Sequence, residues 1–343
     1  MPRLRFAPLG TTIVRRLAQF LPDGFTLSIL AIVILGAFFP CSGEFAHWVG
    51  IASKIAISLL FFLQGARLSR AAVLAGILHW RLHLQIFTST FIVFPLLGLA
   101  LQPVSGTVIA PPLYVGLLFL CTLPSTVQAS VIFTSVAGGN VAAALCSASL
   151  SSIIGMALTP LLIGLLLHAH GESSLNGVVS IALQVLVPFV LGQVAQRWLE
   201  PWMKRNQKTV RRVDLGSVLL MVYGAISAAT LSGMWRLLPV TSFLVLVAVD
   251  GVLLAVILST NVVVARRLGF ARQDEIAIAF CGTQKSLIMG IPMANALFAG
   301  STLGFVVLPM IVCHQMQFMT CANIARRYAR GERQRVLAVG KGD

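Results

Sequence analysis

Charge is scarce in this sequence. Asp, Glu, Lys and Arg make up only 10% of its 343 residues, against about a quarter in soluble domains. So few charged side chains cannot cover a water-facing surface, which excludes a soluble globular protein. Long polar segments are missing too, and with them any separate soluble domain. The six cysteines, at 41, 121, 146, 281, 313 and 321, form no C-x-x-C pair. A disulfide framework or metal site is therefore not expected, and small buried hydrophobes are. No G-x-S-x-G, H-E-x-x-H or phosphate loop occurs, so nothing points to an enzyme or to a cofactor. The opening MPRLRFAPLGTTIVRRLAQF holds too little continuous apolar sequence for a signal-peptide core. It reads as a short amphipathic lead-in on the membrane surface.

Apolar residues, by contrast, are abundant: 57% are hydrophobic and the mean hydropathy is +0.92. Ten apolar stretches fall near 25–41, 47–65, 83–102, 113–137, 140–167, 176–195, 215–234, 241–264, 276–298 and 303–324. Each approaches or exceeds the ~20 residues that span a bilayer. The fold class is an all-α polytopic membrane protein, one membrane domain over 1–343, with ten transmembrane helices and tails at 1–24 and 325–343.

The net charge of +15 has a placement that excludes nucleic acid as its partner. Arg3, Arg5, Arg15 and Arg16 lie in the N-terminal tail, and Arg67, Arg70 and Arg81 in the second connection. Arg197, Lys204, Arg205, Lys208, Arg211 and Arg212 fill the sixth connection. Arg266, Arg267 and Arg272 lie in the eighth, and Arg326, Arg327, Arg330, Arg333, Arg335 and Lys341 in the C-terminal tail. For ten spans these all fall on one side, leaving Arg236 opposite and Lys54 and Lys285 within spans. Lys and Arg concentrate on the cytoplasmic side. Both termini are therefore expected in the cytoplasm, with anionic membrane lipid as the partner of the basic excess.

Ten spans divide into five and five, and an odd number per half inverts the second half. Two repeats, about 25–167 and 176–324, carry matched interruptions: Pro124-Ser125-Thr126-Val127-Gln128-Ala129-Ser130 in the fourth span and Gly282-Thr283-Gln284-Lys285-Ser286 in the ninth. Each sets a helix breaker before a Thr, Gln and Ser cluster. Gly290 and Pro292 weaken the ninth span further. Backbone freed by a break survives in a membrane only where protein or a watery cavity satisfies it, and such matched breaks mark transport sites.

The stretches LLFFLQGARLSR (59–70), HWRLHLQIFTSTFIVFP (79–95), LPSTVQASVIFTSVAGGNVAAALCSASLSS (123–152), RRLGFARQDEIAIAFCGTQKSLIMGIPMANALF (266–298) and VVLPMIVCHQMQFMTCANIARRY (306–328) resemble the bile acid:sodium symporter family. They look closest to its bacterial symporter branch, related to the vertebrate family's seventh member. The resemblance implies a panel of the first, second, sixth and seventh spans facing a core of the remainder, with the fourth and ninth broken and crossing. It implies a bacterial inner-membrane carrier of a small organic anion. It also implies sodium ligands at Ser130 and Gln284, at the carbonyls of Cys281 and Thr283, and at Thr90, which stands where the family has a glutamine. Thr126, Gln128 and Ser286 complete the candidate site.

Several positions depart from that pattern. Phe280 stands where the family has a glutamate and Lys285 where it has an asparagine. Val131, Ala144 and Ala148 stand where side-chain oxygens belong. A lysine beside a sodium site opposes the ion by roughly 4 kcal/mol at 4 Å and an effective dielectric of 20. Sodium coupling is therefore not expected. Lys285, ~13–14 Å into its span, reads as a built-in cation that either mimics a bound ion permanently or loses its proton during the cycle; in both cases its charge favours an anionic substrate.

Asp250, mid-span in VAVDGVLL, is a proton carrier, a counter-charge to Lys285, or a packing residue. Lys54 snorkels outward, Asn140 caps the fifth span, and His79 and His83 sit in the headgroups. The coupling ion is thus H⁺ or Na⁺, or there is none. The competing functions are a non-transporting receptor or regulator on a carrier fold and an intramembrane enzyme using Asp250 and His314.

Overall fold

The computed structural model describes residues 24–67, 79–168, 175–298, 300 and 302–339. The N-terminal lead-in, Arg70 and Lys341 lie outside them. Among the described residues the regular structure is helical, with one isolated bridge between Ser105 and Ile109. The helices are α1 (Gly24–Phe38), α2 (Gly43–Arg67), α3 (Trp80–Val104), α4 (Pro111–Thr122), α5 (Val127–Val136), α6 (Val141–His168), α7 (Leu175–Arg205), α8 (Gln207–Leu231), α9 (Val240–Arg267), α10 (Arg272–Cys281), α11 (Leu287–Leu297) and α12 (Thr302–Val339). Six of them, α2, α3, α6, α8, α9 and α12, are long and apolar enough to cross a membrane, and α4 with α5 makes a seventh, bent by 63°. The chain is a multi-pass membrane protein.

Two differences from the sequence reading concern where helices stop. The basic connection 196–214 is helical but for a turn at Asn206, and the basic tail stays helical to Val339. Lys, Arg, Gln and Glu are good helix formers, so these helices run on past their apolar stretches. In the ninth stretch the interruption is confined to Gly282–Ser286, because α11 continues through Gly290 and Pro292. Gly290 serves close packing instead: a Cβ there would stand 2.6 Å from Leu123 Cδ1.

Packing groups α1, α2, α7 and α8 on one another and sets α4 and α9 against α12. The tightest approach is α2 on α7. A Cβ on Gly65 would lie 2.0 Å from the Phe189 carbonyl oxygen, and one on Gly192 2.0 Å from that of Phe62. The largest apolar core centres on α4, where Leu117, Leu118 and Phe119 are fully buried.

The basic helix ends meet one another. Arg81 at the start of α3 donates to the Leu268 carbonyl after α9. Arg266 and the Tyr328 hydroxyl both donate to Glu275, and Arg67 at the end of α2 pairs with Asp214 in α8. Asn140 caps α6 by accepting from the Ala143 amide and holds Asp274 with its own amide. His83 is buried within the protein, with Nδ1 2.6 Å from the Ser147 hydroxyl, and not exposed to headgroups.

Candidate functional site

The α4–α5 break frees carbonyls that a helix would have paired, and each finds a donor from elsewhere in the chain, as buried backbone must. The Thr122 oxygen accepts from the Thr159 hydroxyl and the Ser125 oxygen from Ser152. The Pro124 oxygen accepts from the amide of Ser286, which ties this break to the one before α11. The Ser125 amide, released from α4, donates to the Ser151 hydroxyl. The carbonyls of Cys121 and Leu123 remain, and Lys285 takes both.

Lys285 is 2% exposed. Its Nζ donates to the carbonyls of Leu123 (2.7 Å), Cys121 (2.9 Å) and Thr90 (3.0 Å) and lies 4.0 Å from the centre of the Phe94 ring. The Thr90 carbonyl is available for a local reason. In the π turn Ser89–Val93 the Phe94 amide returns to the Ser89 oxygen, and the next donor would be residue 95, a proline without an N–H. The backbone of Lys285 is held as well: Gln317 of α12 accepts from its amide (2.9 Å) and donates to its carbonyl (2.8 Å). The ammonium therefore faces carbonyls, not Asp250, and the counter-charge reading of Asp250 is not what the fold builds. Asp250 is fully buried in α9, and neither carboxylate oxygen has a hydrogen-bond partner among the described residues. Lys54 is exposed on α2.

The positions matched to sodium ligands lie around the two breaks and are almost fully buried. The Cys281 carbonyl accepts from the Ser125 hydroxyl at 2.7 Å, and that hydroxyl is 3.4 Å from Ser130 Oγ. The Gly282 carbonyl accepts from Ser89 at 3.0 Å, and Asn261 donates to the Thr283 hydroxyl at 3.2 Å. Serine hydroxyls thus donate to carbonyls in the break. The Thr90 hydroxyl has no partner among the described residues. Phe280 packs its ring 5.8 Å from Phe133, which in turn meets Phe318, so the position of the family's glutamate is part of an aromatic cluster.

At the starts of α5 and α11 is a cavity of about 300 Å³, the lower end of the size range for small-molecule sites. Thr126, Val127 and Gln128 from the first turn of α5 line it, with Ser286, Ile288 and Met289 from the start of α11. Leu145, Ser149, Ser152, Ile153 and Met156 of α6, Gln64 and Arg67 of α2, Phe189 and Asp214 complete the wall. Helix starts present unpaired N–H groups and a partial positive charge, and here two such starts face one space. The Ser286 hydroxyl caps α11 by accepting from Met289, whereas the Thr126 hydroxyl has no partner among the described residues.

Of the sequence candidates, Thr126, Gln128 and Ser286 reach the cavity; Thr90, Ser130, Cys281, Thr283, Gln284 and Lys285 do not. Gln317, Ser89, Ser151, Thr159 and Asn261 were missed. Each sits in an unbroken helix and acts on a distant break, so no local signal marks it. In the sequence Arg67 marks topology alone; its place in the cavity wall comes from the fold.

The profile of the SBF-like CPA transporter family matches residues 23–330. The chain is 54% identical to PA2026 of Pseudomonas aeruginosa, over 91% of this chain and 94% of that protein. It is 49% identical to the Escherichia coli protein named "Putative symporter YfeH", over 91% and 94%. It is 34% identical to the Mus musculus protein named "Sodium/bile acid cotransporter 7", over 78% and 80%.

Proposed function

We propose, because the chain belongs to the SBF-like CPA transporter family, that this membrane transporter carries a small organic anion by alternating access. In this reading its ten spans form two inverted five-helix repeats. The panel is α1, α2, α7 and α8, the helices that pack on one another, and the core is the rest. The observation that carries the proposal is the convergence of the α5 and α11 starts on one cavity, with the Arg67 guanidinium in its wall. Partial positive charge from two helix starts favours a carboxylate, sulfate or phosphate group over a cation, and the Arg67 guanidinium, paired in the same wall with Asp214, can turn a donor to it. The apolar share of the wall, from Met156, Phe189, Ile288 and Met289, suits an organic body. Arg67 and Asp214 stand at the basic end of the bundle, which supports an inner-membrane orientation with cytoplasmic termini and a site open to the cytoplasm.

The coupling follows from the site around the two breaks. Phe280 in its aromatic cluster, Ala144, Ala148 and Val131 withhold the oxygens a sodium site needs, and Ser125 and Ser89 already donate to carbonyls of the break. Asp250, a carboxyl without a partner among the described residues, is the candidate proton carrier.

The test uses purified protein. Organic anions are screened for a rise in Tm, and those that stabilise it are offered to proteoliposomes. The expected result is saturable uptake that Arg67→Gln lowers about tenfold, the loss of one charge-assisted contact, while Lys54→Ala leaves it unchanged. Uptake no faster than in protein-free liposomes, for every stabilising anion, would overturn the proposal.

A further inference from the structure

Three backbone carbonyls converge on the Lys285 ammonium inside this protein, and each is freed by a local feature of the chain. The Thr90 oxygen is freed by the π turn and Pro95. The Cys121 oxygen is freed because the Ser125 amide turns to Ser151, and the Leu123 oxygen lies in the non-helical link after α4. Two of the three thus stand at the negative end of α4, where a cation is favoured. The face of Phe94 closes the fourth side at 4.0 Å, a position that attracts cations. Among the described residues Lys285 makes no salt bridge, so its charge is balanced by dipoles and a ring alone. Three acceptors also select the charged form, because an ammonium has three N–H donors and a neutral amine only two. Rings of carbonyls around a cation are how selectivity filters hold bare ions.

We propose that the carbonyls of Thr90, Cys121 and Leu123 beneath the Phe94 ring form a monovalent-cation site. Its resident is the Lys285 ammonium, and a free primary ammonium ion takes its place when that side chain is removed. The site is separate from the anion cavity, whose walls do not include Lys285, Thr90, Cys121 or Leu123. It also joins three elements, the π turn of α3, the end of α4 and the link before α11, so the resident cation pins the two interrupted spans together at their breaks. A covalently held cation does there what a coupling ion would do by binding, and it does not leave.

The experiment is thermal unfolding of the full-length Lys285→Ala protein in choline buffer, titrated with n-propylammonium, which corresponds to the deleted atoms from Cγ to Nζ. Without the amine Tm should fall by about 5 °C or more, because three buried carbonyls lose their donor. Millimolar propylammonium should restore most of that loss saturably, leave the native protein unchanged, and be matched by neither n-propanol nor tetramethylammonium. Lys285→Met, which fills the space without charge, should stay low in every solution. A response to Na⁺ or K⁺ as well would make the site one for bare ions too, and would also support the proposal. Equal rescue by n-propanol, or Lys285→Ala and Lys285→Met both as stable as the native protein, would overturn it. If Lys285→Ala survives extraction only in propylammonium the proposal stands; if the amine recovers none, it falls. No transport is measured, so the outcome is independent of whether the chain carries an anion.

Discussion

Gln317 bonds both backbone groups of Lys285 with its one amide, replacing for that residue the helix it has left. Gln317→Leu strips both partners at once in a buried place. At about 1–3 kcal/mol for each orphaned group, the variant should lose ~2–6 kcal/mol and show it as a lower Tm. Gln317→Glu keeps an acceptor for the Lys285 amide but brings a charge, so a milder loss at low pH than at high pH is expected. Equal stability of Gln317→Leu and the native protein would show that water replaces the amide. At the same scale the limits of sequence reading are clear. Pro124, Gly282 and Lys285 announce themselves because they are improbable in a span. Gln317, Thr159 and Ser151 do not, because a polar residue on a helix gains its meaning from a carbonyl far away in sequence. The depth of Lys285 could be reckoned from the sequence; the three carbonyls that receive it could not, since they come from two other spans.

Among the elements, glycines distinguish packing from mere tolerance. At Gly192 in α7 and Gly65 in α2 a Cβ would strike the opposite backbone at 2.0 Å, whereas nothing lies within 4 Å of one at Gly216 in α8. Alanine substitution should therefore have opposite signs. Gly216→Ala gains about 0.5–1 kcal/mol of helix propensity, while Gly192→Ala must force α2 and α7 apart and lose at least ~1–3 kcal/mol. Thermal unfolding of the two variants side by side measures this, and a shared sign would mean that the α2–α7 contact yields easily. The positions of the helices were legible as apolar runs, because a membrane demands them. Their true ends were not, since polar helix formers carry α7, α8 and α12 past the apolar stretch. Nor did Gly290 and Pro292 end α11: the glycine admits Leu123, and the proline sits within a helix whose break had already been made at Gly282–Ser286.

For the whole molecule the question is what drives the transport proposed above. The region around the two breaks is crowded with protein donors: Ser125 on the Cys281 carbonyl, Ser89 on that of Gly282, and Lys285 on three more. A sodium ion would have to displace hydroxyls that already satisfy these oxygens, with no carboxylate to compensate its desolvation, because Phe280 is packed on Phe133. Uptake at constant pH should therefore keep at least about half its rate when Na⁺ is replaced by choline; twofold is the modest effect of a screened, non-specific ion. Asp250 offers the alternative. A charge on it would have neither cation nor donor among the described residues to offset burial, so Asp250→Asn should leave Tm unchanged or raise it. If that carboxyl carries the coupling proton, native uptake should rise when the anion side is made acidic, and the Asn variant should lose that dependence while still binding the anion in the Tm screen. A steep, saturable loss of native uptake without Na⁺, or an Asn variant that follows pH as the native protein does, would place the coupling elsewhere in the bundle.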